Sequence, residues 1–252
     1  MKMPVYFIGH GSPMNAIENN EFTHQWEKLM KDCKPKAILI ISAHWMETTY
    51  EITTNPHPAM IYDMFGFPNE LYTINYPAHT DESIIKRCCE LVPELKLNNS
   101  RGYDHGVWSI LTHMAPLANI PVIQISLSRN ASLEDHYNLG KALRILRDED
   151  VLIIGSGNII HNLRELNWNE YYSEYPWAKQ FKEYVNNALL NCDYKNLIHY
   201  DMDGYNALMS VNSQEHYLPM LVCLGASDNN VPSLSNDVIL NGSLSMTCVA
   251  WK

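Results

Sequence analysis

The sequence predicts an α/β fold: a central, mostly parallel (mixed) sheet flanked by helices on both faces, formed by one catalytic domain over residues 1–252. Three observations predict it. Ala37–Ser42 (AILIIS) and Val151–Ser156 (VLIIGS) are unbroken apolar runs of strand length, as strands buried on both faces should read. Such runs alternate with segments of helical spacing, the pattern of strand–helix–strand units. No internal repeat, low-complexity tract or Gly/Ser/Pro-rich linker divides the chain.

The elements follow in order. Val5–Gly9 reads as a strand closed by a glycine turn. Phe22–Asp32 has helical spacing (Phe22, Trp26, Leu29, Met30), with Thr23 near its start. Ala37–Ser42 is the next strand. Thr80–Leu91 is a helix with Asp81 and Glu82 favourable in its first turn. Val107–Ala115 is a short helix and Pro121–Leu127 a strand. Leu133–Arg147 is an amphipathic helix with Ser132 as N-cap and Glu134 and Asp135 behind it. Val151–Ser156 is a buried strand, Trp177–Leu190 and Glu215–Leu224 are helices, and Ser245–Trp251 is a terminal strand.

Composition narrows the function. Hydrophobic residues make up 46 % of the chain, enough for a sizeable core, and charged residues 18 %. A net charge of −10 with scattered Lys and Arg argues against a nucleic-acid partner, which would need a basic stripe. Val5–Ile8 is too short for a signal-peptide core, and no stretch approaches the ~18 apolar residues of a membrane helix. The six cysteines (Cys33, Cys88, Cys89, Cys192, Cys223, Cys248) show no CxxC spacing and read as free thiols of a cytoplasmic protein. A monomer or small homo-oligomer is expected.

In open α/β sheets ligands bind outside the carboxyl ends of the strands. His10 follows VYFIG directly, His44 follows AILIIS with Ala43 between, and His161 comes shortly after VLIIGSG. All three fall at that edge. Neutral imidazole is a common metal ligand, and a catalytic centre holds about three protein ligands and keeps a position open. No HExxH is present, so the ligands would come from separate loops. DHGVW (Asp104–Trp108) sets His105 beside a carboxylate, which suits an acid/base, unless Asp104 caps the next helix and leaves His105 exposed. EHYLP (Glu215–Pro219) puts His216 in a first helical turn, where the dipole favours the neutral, ligating ring. His24, His57, His79, His113, His136 and His199 lack such context and read as structural. Ser12 and Ser156 lie outside any GxSxG, which argues against a serine hydrolase.

GHGSPM (9–14), SAHW (42–45), GFP (66–68), YPA (76–78), DHGVW (104–108), PVIQIS (121–126), GSGNIIHNL (155–163) and EHYLP (215–219) together resemble the class III extradiol ring-cleaving dioxygenases, in the bacterial 4,5-DOPA-extradiol-dioxygenase-like branch. The likeness runs from the first strand to EHYLP. It implies one divalent metal per chain, held by His10, His44 and His216, with His161 against it as a fourth ligand or an acid/base. It places His105 in the substrate pocket, so His105 and His161 are the catalytic candidates. Fe(II) is expected for activity, Zn(II) as the ion bound on purification, and a catechol with O2 as substrates. Many relatives carry a glutamate as third ligand, which makes Glu215 the neighbouring alternative to His216. Many also carry a histidine where this chain has Tyr62, a difference that bears on the substrate. A carboxylated substrate needs a cation, and Arg164 is the candidate. The alternative is a zinc-dependent hydrolase or a non-redox metal-binding protein on the same scaffold.

Overall fold

The computed structural model describes residues 2–252. Ten strands follow one another: β1 (Val5–Gly9), β2 (Ala37–Glu47), β3 (Glu51–Thr53), β4 (Lys96–Asn98), β5 (Val122–Ser128), β6 (Val151–Gly157), β7 (Ser233–Ser235), β8 (Ile239–Leu240), β9 (Leu244–Ser245) and β10 (Cys248–Trp251). The helices between them are α1 (Glu21–Met30), α2 (Glu82–Leu91), α3 (His105–Met114), α4 (Leu133–Leu143), α5 (Pro176–Leu190), α6 (Tyr194–Ile198), α7 (Tyr205–Ser210) and α8 (Leu218–Ala226). Eight strands form one sheet in the order β4-β3-β5-β2-β6-β1-β10-β7, and β8 and β9 pair separately. The central strands β5, β2, β6 and β1 are parallel; β3 against β5 and β10 against β1 run antiparallel, so the sheet is mixed.

The apolar runs are explained by the two cores. Successive strand residues point to opposite faces. Val5, Phe7, Leu39, Ile41, Val151 and Ile153 enter a core with α2, α4, α5 and α8. Tyr6, Ile8, Ile38, Ile40, Leu152 and Ile154 enter a second core with α1 and α3. Both faces are covered, so a polar side chain in these strands needs a hydrogen-bond partner, as Ser42 and Ser156 have at their carboxyl ends. The helix starts are fixed locally: Asn20 and Thr23 form a reciprocal capping box for α1, and Ser132 and Asp135 form one for α4.

Four expected elements differ in extent by more than two residues. The strand expected to end at Ser42 continues to Glu47, with a shift in its pairing to β5 between Ile41 and Met46. The helix expected through Arg147 stops at Leu143 and tightens into a 3-10 turn, Arg144–Glu149, ended by Asp150 at φ 62°. The helix expected from Glu215 is a 3-10 turn, Gln214–His216, followed by α8 with Pro219 in its first turn. The terminal strand is split, because Leu244–Ser245 pairs with β8 and only Cys248–Trp251 joins the main sheet. Among the described residues no helix is long and apolar enough to cross a membrane. All six cysteines are free thiols.

Candidate metal centre

Five histidines meet at the carboxyl edge of the parallel strands. His10 follows β1 directly. His44 lies inside β2, in the stretch where the pairing to β5 is interrupted, which turns its ring toward β1. His161 lies past β6 and bridges Leu244; His105 opens α3; His216 ends the 3-10 turn before α8. Two glycines make room. A Cβ on Gly157 would overlap the His216 carbonyl, and a Cβ on Gly106 would overlap Ser42 Oγ and stand 2.9 Å from His44 Cδ2.

His10, His44 and His216 form a nearly equilateral group, with ring centres 5.1, 5.3 and 5.0 Å apart. The outer nitrogen of each ring faces an acceptor. His10 Nδ1 lies 2.9 Å from Ser156 Oγ, whose own proton goes to the Gly106 carbonyl at 2.5 Å, so the imidazole donates. His44 Nδ1 lies 3.3 Å from Asp63 Oδ2, and His216 Nδ1 3.4 Å from Glu215 Oε1. With Nδ1 protonated in all three, each Nε2 carries a lone pair. His44 Nε2 and His10 Nε2 face each other at 3.3 Å, and His216 Nε2 is buried with no partner. A hydrogen bond between the first two would require one ring to give up its Nδ1 contact.

Lone pairs turned on one another call for a cation. Three imidazoles bound at about 2.1 Å in a tetrahedral arrangement have nitrogens about 3.4 Å apart and ring centres about 5.2 Å apart. The three ring-centre spacings match, as does the His10–His44 nitrogen pair at 3.3 Å, so the three rings fit a divalent ion, with outer nitrogens beside acceptors as metal-binding histidines require. Glu215 stands behind His216, accepts Ser213 Oγ at 2.6 Å, and is not among the rings at the centre.

His161 and His105 flank this group. The His161 ring stacks on His216 with centres 3.4 Å apart and planes 6° from parallel. An ion in the plane of one ring is then far out of the plane of the other, so the pair suits one ligand and one neighbour. By ligand-atom distance alone the histidines divide differently: His10, His44 and His105 offer nitrogens within 4.8 Å of one another, as do His161, His216 and the Glu215 carboxylate. The ring spacings and the orphaned His216 nitrogen are more specific than that distance, and they favour His10, His44 and His216. His105 is buried, its ring centre 3.8 Å from that of His44 and its Nδ1 3.0 Å from Asp63 Oδ1, close but not aligned as a hydrogen bond.

Burial and mutual repulsion keep these rings neutral. The pKa of His10 and of His216 falls well below the usual value through burial and then neighbouring imidazoles. Burial holds His44 and His161 at about 4, although Asp104 and Asp63 for the first and Glu215 for the second pull upward. Asp63 is also buried enough to raise its pKa, yet its contacts with His105 and His44 bring it down to about 2.

The other expectations sort plainly. Asp104 was expected beside His105; instead its carboxylate turns inward and accepts from Ser42 Oγ at 2.6 Å, Gln124 Nε2 at 2.7 Å and Arg101 Nη2 at 2.6 Å. Asp63, from the loop before the GFP motif, takes its place; the sequence reading missed it. Arg164 is exposed. Ser12 accepts the Met14 N–H, and Ser156 serves His10, so neither is poised as a nucleophile. The remaining six histidines lie outside the group; His136 is buried between Ser132 O and Ser128 N, and His113 binds Asn15 O.

Comparison with known proteins shows the family. Residues 4–245 match the family described as the catalytic LigB subunit of aromatic ring-opening dioxygenase. The chain is 39 % identical to the 4,5-DOPA dioxygenase extradiol of Escherichia coli (strain K12), over 98 % of this chain and 94 % of that one. It is 36 % identical to the 4,5-DOPA dioxygenase extradiol of Beta vulgaris, over 89 % and 87 %. The crystal structure of an uncharacterized protein from Escherichia coli K12 superposes with a TM-score of 0.85 at 35 % identity, covering 100 % of both chains. The chain therefore belongs to the LigB family of aromatic ring-opening dioxygenases and is an extradiol ring-cleaving enzyme of that family.

Proposed function

We propose that the chain opens the ring of a catechol of the 4,5-DOPA type with O2, on one Fe(II) ion held by His10, His44 and His216. The observation that carries this reading is the set of three clustered rings, each with Nδ1 beside an oxygen acceptor, with His10 and His44 Nε2 facing each other and His216 Nε2 buried without a partner. Relatives named for 4,5-DOPA supply the substrate class. Bound Fe(II) would supply open positions for the diol oxygens and O2, together with an accessible oxidation state.

The chain's own residues do the rest. Neutral imidazoles neither repel the ion nor need to lose a proton to bind it. His105, beside His44, accepts the diol proton. His161, stacked on His216 across the group, is the second group that exchanges a proton as the ring opens. Neither is a ligand in this reading, although His161 stands against the ion. Tyr62, exposed and with its ring centre 6.1 Å from that of the buried Trp108, which itself packs beside His105, offers aromatic surface suited to a planar ring.

The test is O2 uptake by protein loaded anaerobically with Fe(II), given L-DOPA and a panel of simple catechols. A yellow ring-opened product is expected from the Fe(II) form and none from the Zn(II) form. The nitrogen-only donor set suits zinc as well. No uptake across the panel, with hydrolysis by the zinc form, would replace this reading with a metallohydrolase.

A further inference from the structure

We propose that Asp63 is a positioning residue whose single carboxylate fixes the tautomer of both His44 and His105, leaving Nε2 of each ring free to accept. This rests on the roles given above, His44 as ligand and His105 as proton acceptor.

Asp63 reaches both rings from the loop that precedes the GFP motif. Its Oδ2 lies 3.3 Å from His44 Nδ1 and its Oδ1 3.0 Å from His105 Nδ1. An ionised carboxylate accepts and never donates. Although the His105 contact is not aligned as a hydrogen bond, the negative charge beside each Nδ1 favours the proton there, and a neutral ring with Nδ1–H has its lone pair on Nε2. For His44 this is the nitrogen turned toward His10.

The same carboxylate also sets where His105 stands. Asp104 occupies the N-cap position of α3 but makes no capping bond with its side chain. Asp63 Oδ1 accepts the His105 backbone N–H at 2.9 Å instead. One group thus holds the start of the helix, the ring at its first residue and the ring beside it. Their centres are 3.8 Å apart, so neither ring can turn without meeting the other. Asp104 cannot substitute, because Ser42, Gln124 and Arg101 already occupy its oxygens.

D63N separates positioning from folding. Its amide oxygen can keep the His105 backbone N–H and so the start of α3. Its NH2 group, however, is a donor, and it favours Nε2–H in whichever ring it faces. The first readout is the tautomer of His44 and His105, from long-range nitrogen–proton NMR spectra of metal-free protein. Wild type should show Nδ1–H in both; D63N should lose it in at least one. The second is zinc affinity by chelator competition, with wild type and D63N compared after circular dichroism confirms equal folding. A loss of about 10–100-fold is expected, as for other groups that orient metal-binding histidines. Iron-loaded D63N should lose kcat more than it raises KM.

Nε2–H on His44 or His105 in wild type would overturn the proposal, and so would unchanged tautomers with unchanged zinc affinity in D63N. If D63N does not fold, the wild-type tautomers decide alone. If wild type binds no zinc, the ligand assignment of His44 fails, while the tautomers of the metal-free protein still judge Asp63.

Discussion

Replacing Ser156 by alanine probes the lone-pair argument at one atom. Ser156 Oγ is the acceptor for His10 Nδ1–H at 2.9 Å, and both groups are buried. In S156A that N–H loses its partner, and a buried unpaired donor costs about 1–3 kcal/mol. The metal-free protein has an escape: His10 can move its proton to Nε2 and donate to His44 Nε2, 3.3 Å away. The metal-bound protein has none, because Nε2 must then face the ion. The cost falls mainly on the bound state, so zinc affinity should drop by about 5- to 150-fold, taking 1.36 kcal/mol per tenfold. Urea unfolding of the metal-free protein should change less, since the tautomer shift relieves it. Competition against a chromophoric chelator measures the affinity. Zinc binding by S156A equal to wild type would refute the idea that this hydroxyl sets the His10 tautomer.

Three further outcomes are expected. With His44 and His161 held at about 4 and His10 and His216 well lowered, these four rings are already neutral at pH 6; zinc binding there should draw almost no protons from its ligands in calorimetry across buffers, and release of two or more would contradict the burial argument. Arg147 is buried and donates to Met3 O at 2.6 Å and Ala226 O at 3.0 Å, so R147A should cost about 2–6 kcal/mol in urea unfolding, from two carbonyls left without donors at about 1–3 kcal/mol each; a change below about 1 kcal/mol would mean that water replaces the guanidinium. All six cysteines should titrate in denaturant without reductant, and fewer in protein kept under inert gas would reveal a disulfide.

What the sequence made legible follows from burial. β2 and β6 are covered on both faces, so their runs announce themselves, and a strand end plus a histidine marks the site edge. The short strands β3, β4 and β7, at or next to the sheet edges, are three residues each and carry no period to read. His10, His44, His105, His161 and His216 were all visible as candidates. Their partners were not, because adjacency in sequence misleads at a helix start. Asp104 and His105 are neighbours, but consecutive residues there point in different directions. One turns under β2 and β5, the other into the site, and the carboxylate that serves His105 comes from 42 residues upstream. No spacing rule finds Asp63; its reach depends on the path of an irregular loop. His216 reads in sequence as lying in the first turn of a helix; it ends a 3-10 turn just before α8, and burial, then the neighbouring imidazoles, lowers its pKa.

The most direct measurement is the stoichiometry of oxygen consumption. Protein loaded anaerobically with Fe(II) is given a limiting amount of L-DOPA in an oxygen electrode, and the product is quantified by its absorbance and mass. The account predicts one O2 consumed per catechol, a product carrying both added oxygen atoms, and no oxygen returned when catalase is added. Oxygen recovered on catalase addition, with a quinone as product, would show simple catechol oxidation and contradict ring cleavage at this centre.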